Sequence, residues 1–179
     1  MTGFTHRLAR TEDIPAISAL MARAIAQLQT AYLTPEQIAA SAESMGLDTQ
    51  LIEDGTYFVI EDGARLAGCG GWSRRATLYG GNHAADLRDD RLLDPAGEPA
   101  RIRAMYTDPH YARRGIGRLI LALCEEAARN EGFKRLELMA TAAGEPLYIA
   151  CGFRVIERAE RLSANGVSVP GAVMGKVLT

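Results

Sequence analysis

Apolar residues along this chain follow two spacings, and the change from one to the other marks its elements. Ile17, Leu20, Met21, Ala24, Ile25 and Leu28 recur three and four apart, which predicts an amphipathic helix capped near Thr11 or Asp13 with Pro15 in its first turn. Thr34-Pro35-Glu36-Gln37 is a capping signature for a second helix, running to about Met45 before Gly46. Ile116, Leu119, Ile120, Leu123 and Ala127 form one long stripe, and Gly132 lies just past it where a left-handed cap would fall. Strands are predicted over 4–8, 56–61, 65–72, 100–107, 135–141, 153–158 and 167–178, with hairpin turns at Asp62-Gly63 and Asn165-Gly166. Pro146 opens a short helix that Gly152 ends. Residues 74–99 carry turn signals at Gly80-Gly81-Asn82 and Asp94-Pro95 but little periodicity, so they are expected to form a mobile lid over a substrate. Strands, a strand–helix–strand crossover and a terminal hairpin give an α/β fold, with a mixed sheet and helices on both faces.

Composition narrows the class. The 179 residues fit a single domain spanning 1–179, and 47% hydrophobic with 23% charged residues is ordinary for a soluble protein. A net charge of −2 argues against nucleic acid as a partner. No apolar run exceeds about six residues and no leader pattern opens the chain, so neither a membrane span nor a signal peptide is expected. Cys69, Cys124 and Cys151 are too scattered for a disulfide framework or a metal site, and read as free thiols of a cytoplasmic protein.

The candidate chemistry lies where the long helix begins. Tyr111-Ala112-Arg113-Arg114-Gly115-Ile116-Gly117-Arg118 breaks two local rules together. Two glycines fall in a first helical turn, each costing about 0.5–1 kcal/mol relative to alanine in a helix interior. Three arginines crowd the positive end of the dipole, disfavoured by roughly 0.3–1 kcal/mol apiece when exposed. Glycines baring backbone N–H groups among cations make an anion site, most readily for phosphate. It is not a Walker loop, because Arg118-Leu119 follows Gly117, nor a dinucleotide fingerprint, because Ile120 stands where a small residue is needed.

From Asp108 to Gly117 the chain resembles the pyrophosphate-binding segment of the GNAT superfamily of acetyl-CoA-dependent N-acetyltransferases. Leu147-Tyr148-Ile149-Ala150-Cys151-Gly152-Phe153 is similar to that family's Leu-Tyr-x-x-x-Gly-Phe element. The likeness covers about residues 55–155 and implies a mixed, mostly antiparallel central sheet flanked by helices on both faces. It implies acetyl-CoA as co-substrate, no metal, and transfer of acetyl to a primary amine of a small molecule or peptide by direct attack. It implies that residues Arg113, Arg114, Gly115, Ile116, Gly117 and Arg118 hold the pyrophosphate. The backbone of Met105, Tyr106 and Thr107 would pair with the pantetheine arm, one N–H there polarising the thioester carbonyl. Tyr148 would protonate the departing thiolate. Two positions depart from the family pattern: Ala112 stands where glutamine or arginine is usual, and Thr141 where asparagine often lies, a hydroxyl still able to bond the cofactor arm.

A phenol of pKa near ~10 stays protonated at neutral pH and can serve a thiol leaving group near ~8.5. The general base is not legible; Glu98, His83 and Glu145 are candidates, since the central strand carries Arg101 and Arg103 instead of glutamate. A water chain, or capture of the unprotonated fraction of the amine, would serve without one. Residues 27–45 and 74–99 are expected to wall the acceptor, Trp72 and Cys151 to pack. The alternatives are a longer acyl group, a hydroxyl acceptor, or an acyl-CoA-binding sensor or interaction module without catalysis; a homodimer is left open.

Overall fold

Tyr57 and Val59 point to one side of their strand and Phe58 and Ile60 to the other, and each pair meets its own helix layer. A computed structural model describes residues 3–179. Seven strands form one sheet: β1 (Thr5–Leu8), β2 (Tyr57–Asp62), β3 (Arg65–Ser73), β4 (Ala100–Thr107), β5 (Arg135–Thr141), β6 (Arg154–Leu162) and β7 (Ser168–Val177). Their order is β1-β2-β3-β4-β5-β7-β6, antiparallel at every pairing except β4 with β5. The parallel pair needs a crossover, supplied by the long helix α4 (Ile116–Asn130).

α1 (Ile14–Gln27) buries Ile17, Leu20, Met21 and Ala24 against Tyr57, Val59, Cys69 and Tyr106. α4 buries Ile116, Ile120, Leu121, Cys124 and Ala128 on the opposite face, against Ile60, Ala67 and Ile102. Two glycines of β3 let α4 lie that close. A Cβ on Gly68 would collide with Ile116 Cγ2, and one on Gly70 would stand 2.8 Å from Ile120 Cγ2. α2 (Pro35–Ser41) carries the expected capping box, Thr34 Oγ1 accepting from Gln37 N–H at 3.2 Å, and is followed by single turns to Met45. α5 (Glu145–Ala150) is the short helix before Gly152.

Three expectations shift. α3 (Thr49–Glu53) is an additional helix; five residues are too few to show a helical period. β6 runs to Leu162 rather than ending at Arg158, because Ala159, Glu160, Arg161 and Leu162 pair in register with Gly171, Pro170, Val169 and Ser168 of β7. Residues 74–99 are not a loose lid. Arg75 bridges to Leu92, and the N–H groups of Ala76, Thr77 and Leu93 donate to Arg91 O, Asp89 O and Arg74 O at 2.8–2.9 Å. Ion pairs of Arg75 with Asp54 at 2.7 Å and of Arg88 with Asp48 at 2.9 Å tie the segment to α3.

Candidate active site

β4 and β5 pair only at Ala100–Leu136 and Arg101–Glu137, then separate. Beyond the last pair β4 carries a bulge: between Gly71↔Arg103 and Cys69↔Tyr106, β4 holds one residue more than β3. Ala104 takes a left-handed φ of 49° there, and its carbonyl accepts from the Tyr57 hydroxyl at 2.6 Å. Asp108 N–H donates to Ala67 O at 2.9 Å, so the two-residue alternation turns Tyr106 toward β3 as well. Thr107 and Met105 therefore aim their backbone groups into the gap. Of the three residues expected to pair with the pantetheine arm, these two line the cleft with their backbone turned to the gap. Tyr106 contributes its buried side chain instead, its hydroxyl accepting from Gly46 N–H at 3.0 Å.

The gap opens into a cleft of about 800 Å³ that passes from the α4 face of the sheet to the α1 face. On the α4 side lies the anomalous turn. Asp108 fixes its approach, accepting from His110 N–H at 2.9 Å and pairing with Arg23 at 2.6 Å. Those contacts hold its carboxylate below the usual range against the opposing effect of burial. Arg113 (φ 65°) and Gly115 (φ 84°) are both left-handed, and Gly115 caps α4 without a side-chain bond. Among the described residues no backbone carbonyl accepts from the N–H groups of 113–118, so they remain free at the helix N-terminus. Arg113 and Arg118 line the cleft. Arg114 does not: its guanidinium lies 5.1 Å from the Phe4 ring and 5.2 Å from that of Tyr111. Gly117 has a packing reason besides its N–H, since a Cβ there would sit 2.5 Å from Leu147 Cδ2.

Tyr148 reaches the same cleft from α5, its ring edge-on to Phe153 at 5.8 Å. Among the described residues its hydroxyl has one partner, the thioether of Met105 at 3.8 Å, a weak acceptor. Burial pushes the phenol above its ordinary pKa, keeping it protonated and able to donate. Thr141 lines the cleft, but its hydroxyl already accepts from Gly144 N–H at 3.0 Å, opening the turn that carries α5.

None of the three candidate bases faces the cleft. Glu98 is held at about 2 by Arg91 on the surface, Glu145 pairs with Arg158 at 2.6 Å, and His83 Nε2 lies 2.8 Å from Ala42 O. Among the described residues the cleft contains no histidine and one carboxylate, the exposed Glu160. Arg103, on the central strand, is consumed by structure: its buried guanidinium pairs with Asp48 at 3.0 Å and donates to Gly80 O at 2.8 Å. On the α1 side the walls are Gln29, Tyr32, Ser41 and Met45, as expected, with Leu78 and Tyr79 from the tied segment. The β6–β7 hairpin adds Arg161, Val169 and Pro170, which lie outside the two segments expected to wall the acceptor. Gln29 is buried; its amide nitrogen donates to Ser41 Oγ at 3.1 Å, while its Oε1 has no partner among the described residues.

Comparison with known proteins places this arrangement. Residues 21–153 match the model of the acetyltransferase (GNAT) family. An uncharacterized N-acetyltransferase, YjcF of Bacillus subtilis, is 23% identical over 152 residues, covering 83% of this chain and 94% of that protein. A GCN5-related N-acetyltransferase structure from Rhodopseudomonas palustris superposes with TM-score 0.70 at 18% identity, over 97% of this chain and 95% of that one. The structure of yncA, a putative acetyltransferase from Salmonella typhimurium with its cofactor acetyl-CoA, gives 0.65 at 17%, over 99% and 95%.

Proposed function

The chain belongs to the acetyltransferase (GNAT) family, and from that premise we propose that it moves an acetyl group from acetyl-CoA to a primary amine by direct attack in the cleft between β4 and β5. The observation that carries the proposal is one juxtaposition. Among the described residues, the free backbone N–H groups of Arg113 and of 115–118 and a tyrosine hydroxyl without a strong partner line a gap left open by two diverging strands. Such a gap fits a long thioester with a phosphate group at one end: the N–H groups and the exposed Arg113 and Arg118 receive the pyrophosphate. Met105 and Thr107 then offer backbone partners along the arm, and an N–H among them polarises the carbonyl. The cofactor brings the activated acyl group. The protein brings orientation, that donor, and the Tyr148 proton for the thiolate.

On the acceptor side, the unpartnered Oε1 of Gln29 is suited to an N–H of the incoming amine. With Glu160 exposed and, among the described residues, no histidine in the cleft, the amine enters unprotonated, and the proton its nitrogen sheds after attack passes to water while Tyr148 protonates the thiolate. The sparse set of bases also favours a second reading, a module that binds acyl-CoA without turnover. Incubating the protein with acetyl-CoA and a panel of amines, while following free thiol and acetylated product, separates the two. Acceptor-dependent thiol release with a matching acetylated amine is expected. Tight acyl-CoA binding without product from any amine would establish the binding module.

A further inference from the structure

Arg161 lines the acceptor side of the cleft with a charge that its neighbours only half satisfy. Its buried Nε has no partner among the described residues. Its ion pair, from Nη2 to Asp86 Oδ2, is long at 3.4 Å and meets a carboxylate that is 68% exposed. The Tyr79 ring lies 6.0 Å from the guanidinium carbon. A buried N–H without a partner needs an explanation, and an arginine fork takes a carboxylate through two parallel N–H groups. The other cations of the cleft are accounted for. Arg103 is paired with Asp48, and Arg113 and Arg118 stand at the phosphate end.

The wall that carries Arg161 is tied together by hydrogen bonds. Arg161 lies opposite Val169 in the ladder, so the two share a face. Gln37 Nε2 donates to Ser168 O at 3.0 Å, and the Glu43 carboxylate accepts from Ala164 N–H at 3.0 Å, fixing the hairpin to α2 and the turns after it. Within α2 the Ser41 hydroxyl donates to Ile38 O at 2.6 Å and accepts from Gln29 Nε2 at 3.1 Å. Gln29 Nε2 also donates to Ile25 O at 3.2 Å. Only the NH₂ end of an amide can meet a carbonyl, so this contact sets the amide's orientation and leaves Oε1 as the free end.

We propose that the acceptor is a small amino carboxylate with an apolar body, a free amino acid with a hydrocarbon, thioether or aromatic side chain. Its carboxylate takes the Arg161 fork, its amino group gives an N–H to Gln29 Oε1, and Met45, Leu78, Val169 and Pro170 supply apolar lining. The proposal rests on the acetyl-transfer reading given above. The amino nitrogen forms a C–N bond as the thioester C–S bond breaks, and its surplus proton passes to water. The thiolate takes the Tyr148 proton, which solvent restores, leaving an N-acetyl amino acid and coenzyme A. A polycationic amine is disfavoured. Glu160 is the one carboxylate lining the cleft among the described residues, and alternation along β6 turns it to the face opposite Arg161.

Leucine, valine, methionine and phenylalanine should be assayed beside the amide and the decarboxylated amine of each, with spermidine as the polycation. Thiol release and product mass are the readouts. At least one acid should be acetylated with kcat/KM about tenfold or more above its own amide and amine. R161Q should raise KM for that acid about tenfold or more with a smaller change in kcat, narrowing its lead over the amide. R161K keeps the charge but loses the fork and should recover only part of the difference. The wild-type comparison decides even if a variant fails to fold. Calorimetry of the same acids into protein saturated with coenzyme A reads the subsite without turnover. Amides, amines or spermidine acetylated as well as the acids would overturn the inference and leave acetyl transfer standing. An acid bound through Arg161 with no acetylated product from any amine would uphold the carboxylate subsite and overturn the transfer reading. No acid bound or acetylated would overturn the subsite itself.

Discussion

Tyr148 is buried and packed against Phe153, yet among the described residues only a thioether meets its hydroxyl, so ring and hydroxyl can be tested apart. Tyr148→Phe keeps the packing, and stability and cofactor affinity should barely change. A positioned acid contributes about 10²–10⁴ in rate, and the low end is expected because a thiolate leaves readily. The loss should fall in kcat with little change in KM for acetyl-CoA, read by steady-state kinetics with chemistry rate-limiting. Altered melting with intact turnover would make Tyr148 a core residue. The phosphate end needs a different substitution. Gly117→Asp would crowd Leu147 as well as add charge, whereas Arg118 is exposed and lines the cleft. Arg118→Glu should weaken coenzyme A binding by calorimetry about tenfold, and the deficit should shrink as salt rises. An unchanged affinity would take Arg118 out of the site.

Among the elements, the segment 74–99 departs most from its sequence pattern. It lacks periodicity because it is held by long-range ion pairs, and a contact such as Arg75 with Asp54 leaves no local trace in the sequence. Arg75 holds the Asp54 carboxyl below its usual pKa. A carboxylate depressed in the folded state contributes stability above its unfolded value of about 3.9, and that contribution is lost as pH falls through the folded value. Acid should therefore loosen this segment first. Hydrogen exchange should show the amides of Ala76, Thr77 and Leu93 protected at neutral pH and opening below about pH 4, before those of β4. Fast exchange of all three at neutral pH would restore the lid. The same physics explains what was legible. The α4 stripe, the capping box at Thr34 and the hairpin turns rest on neighbours in sequence and could be read. The bulge at Ala104, the parting of β4 from β5 and the Arg103–Asp48 pair each join distant segments and could not.

For the molecule as a whole, the family and the mixed sheet followed from two motifs, 108–117 and 147–153, separated by one helix and one strand. The α1-side wall of the cleft was only half readable, since it is assembled from α1, α2, the tied segment and the β6–β7 hairpin. The account stands on a single placement: the cofactor's phosphate at the free N–H groups of α4, and its arm in the gap beside Met105 and Thr107. Backbone amide chemical shifts recorded by NMR during titration with coenzyme A measure that placement directly. The largest changes are expected at residues 113–118, followed by Met105, Thr107 and Thr141, with β1 and the far edge of β2 unmoved. Perturbations clustered elsewhere, with the amides of 113–118 unshifted at saturation, would contradict it.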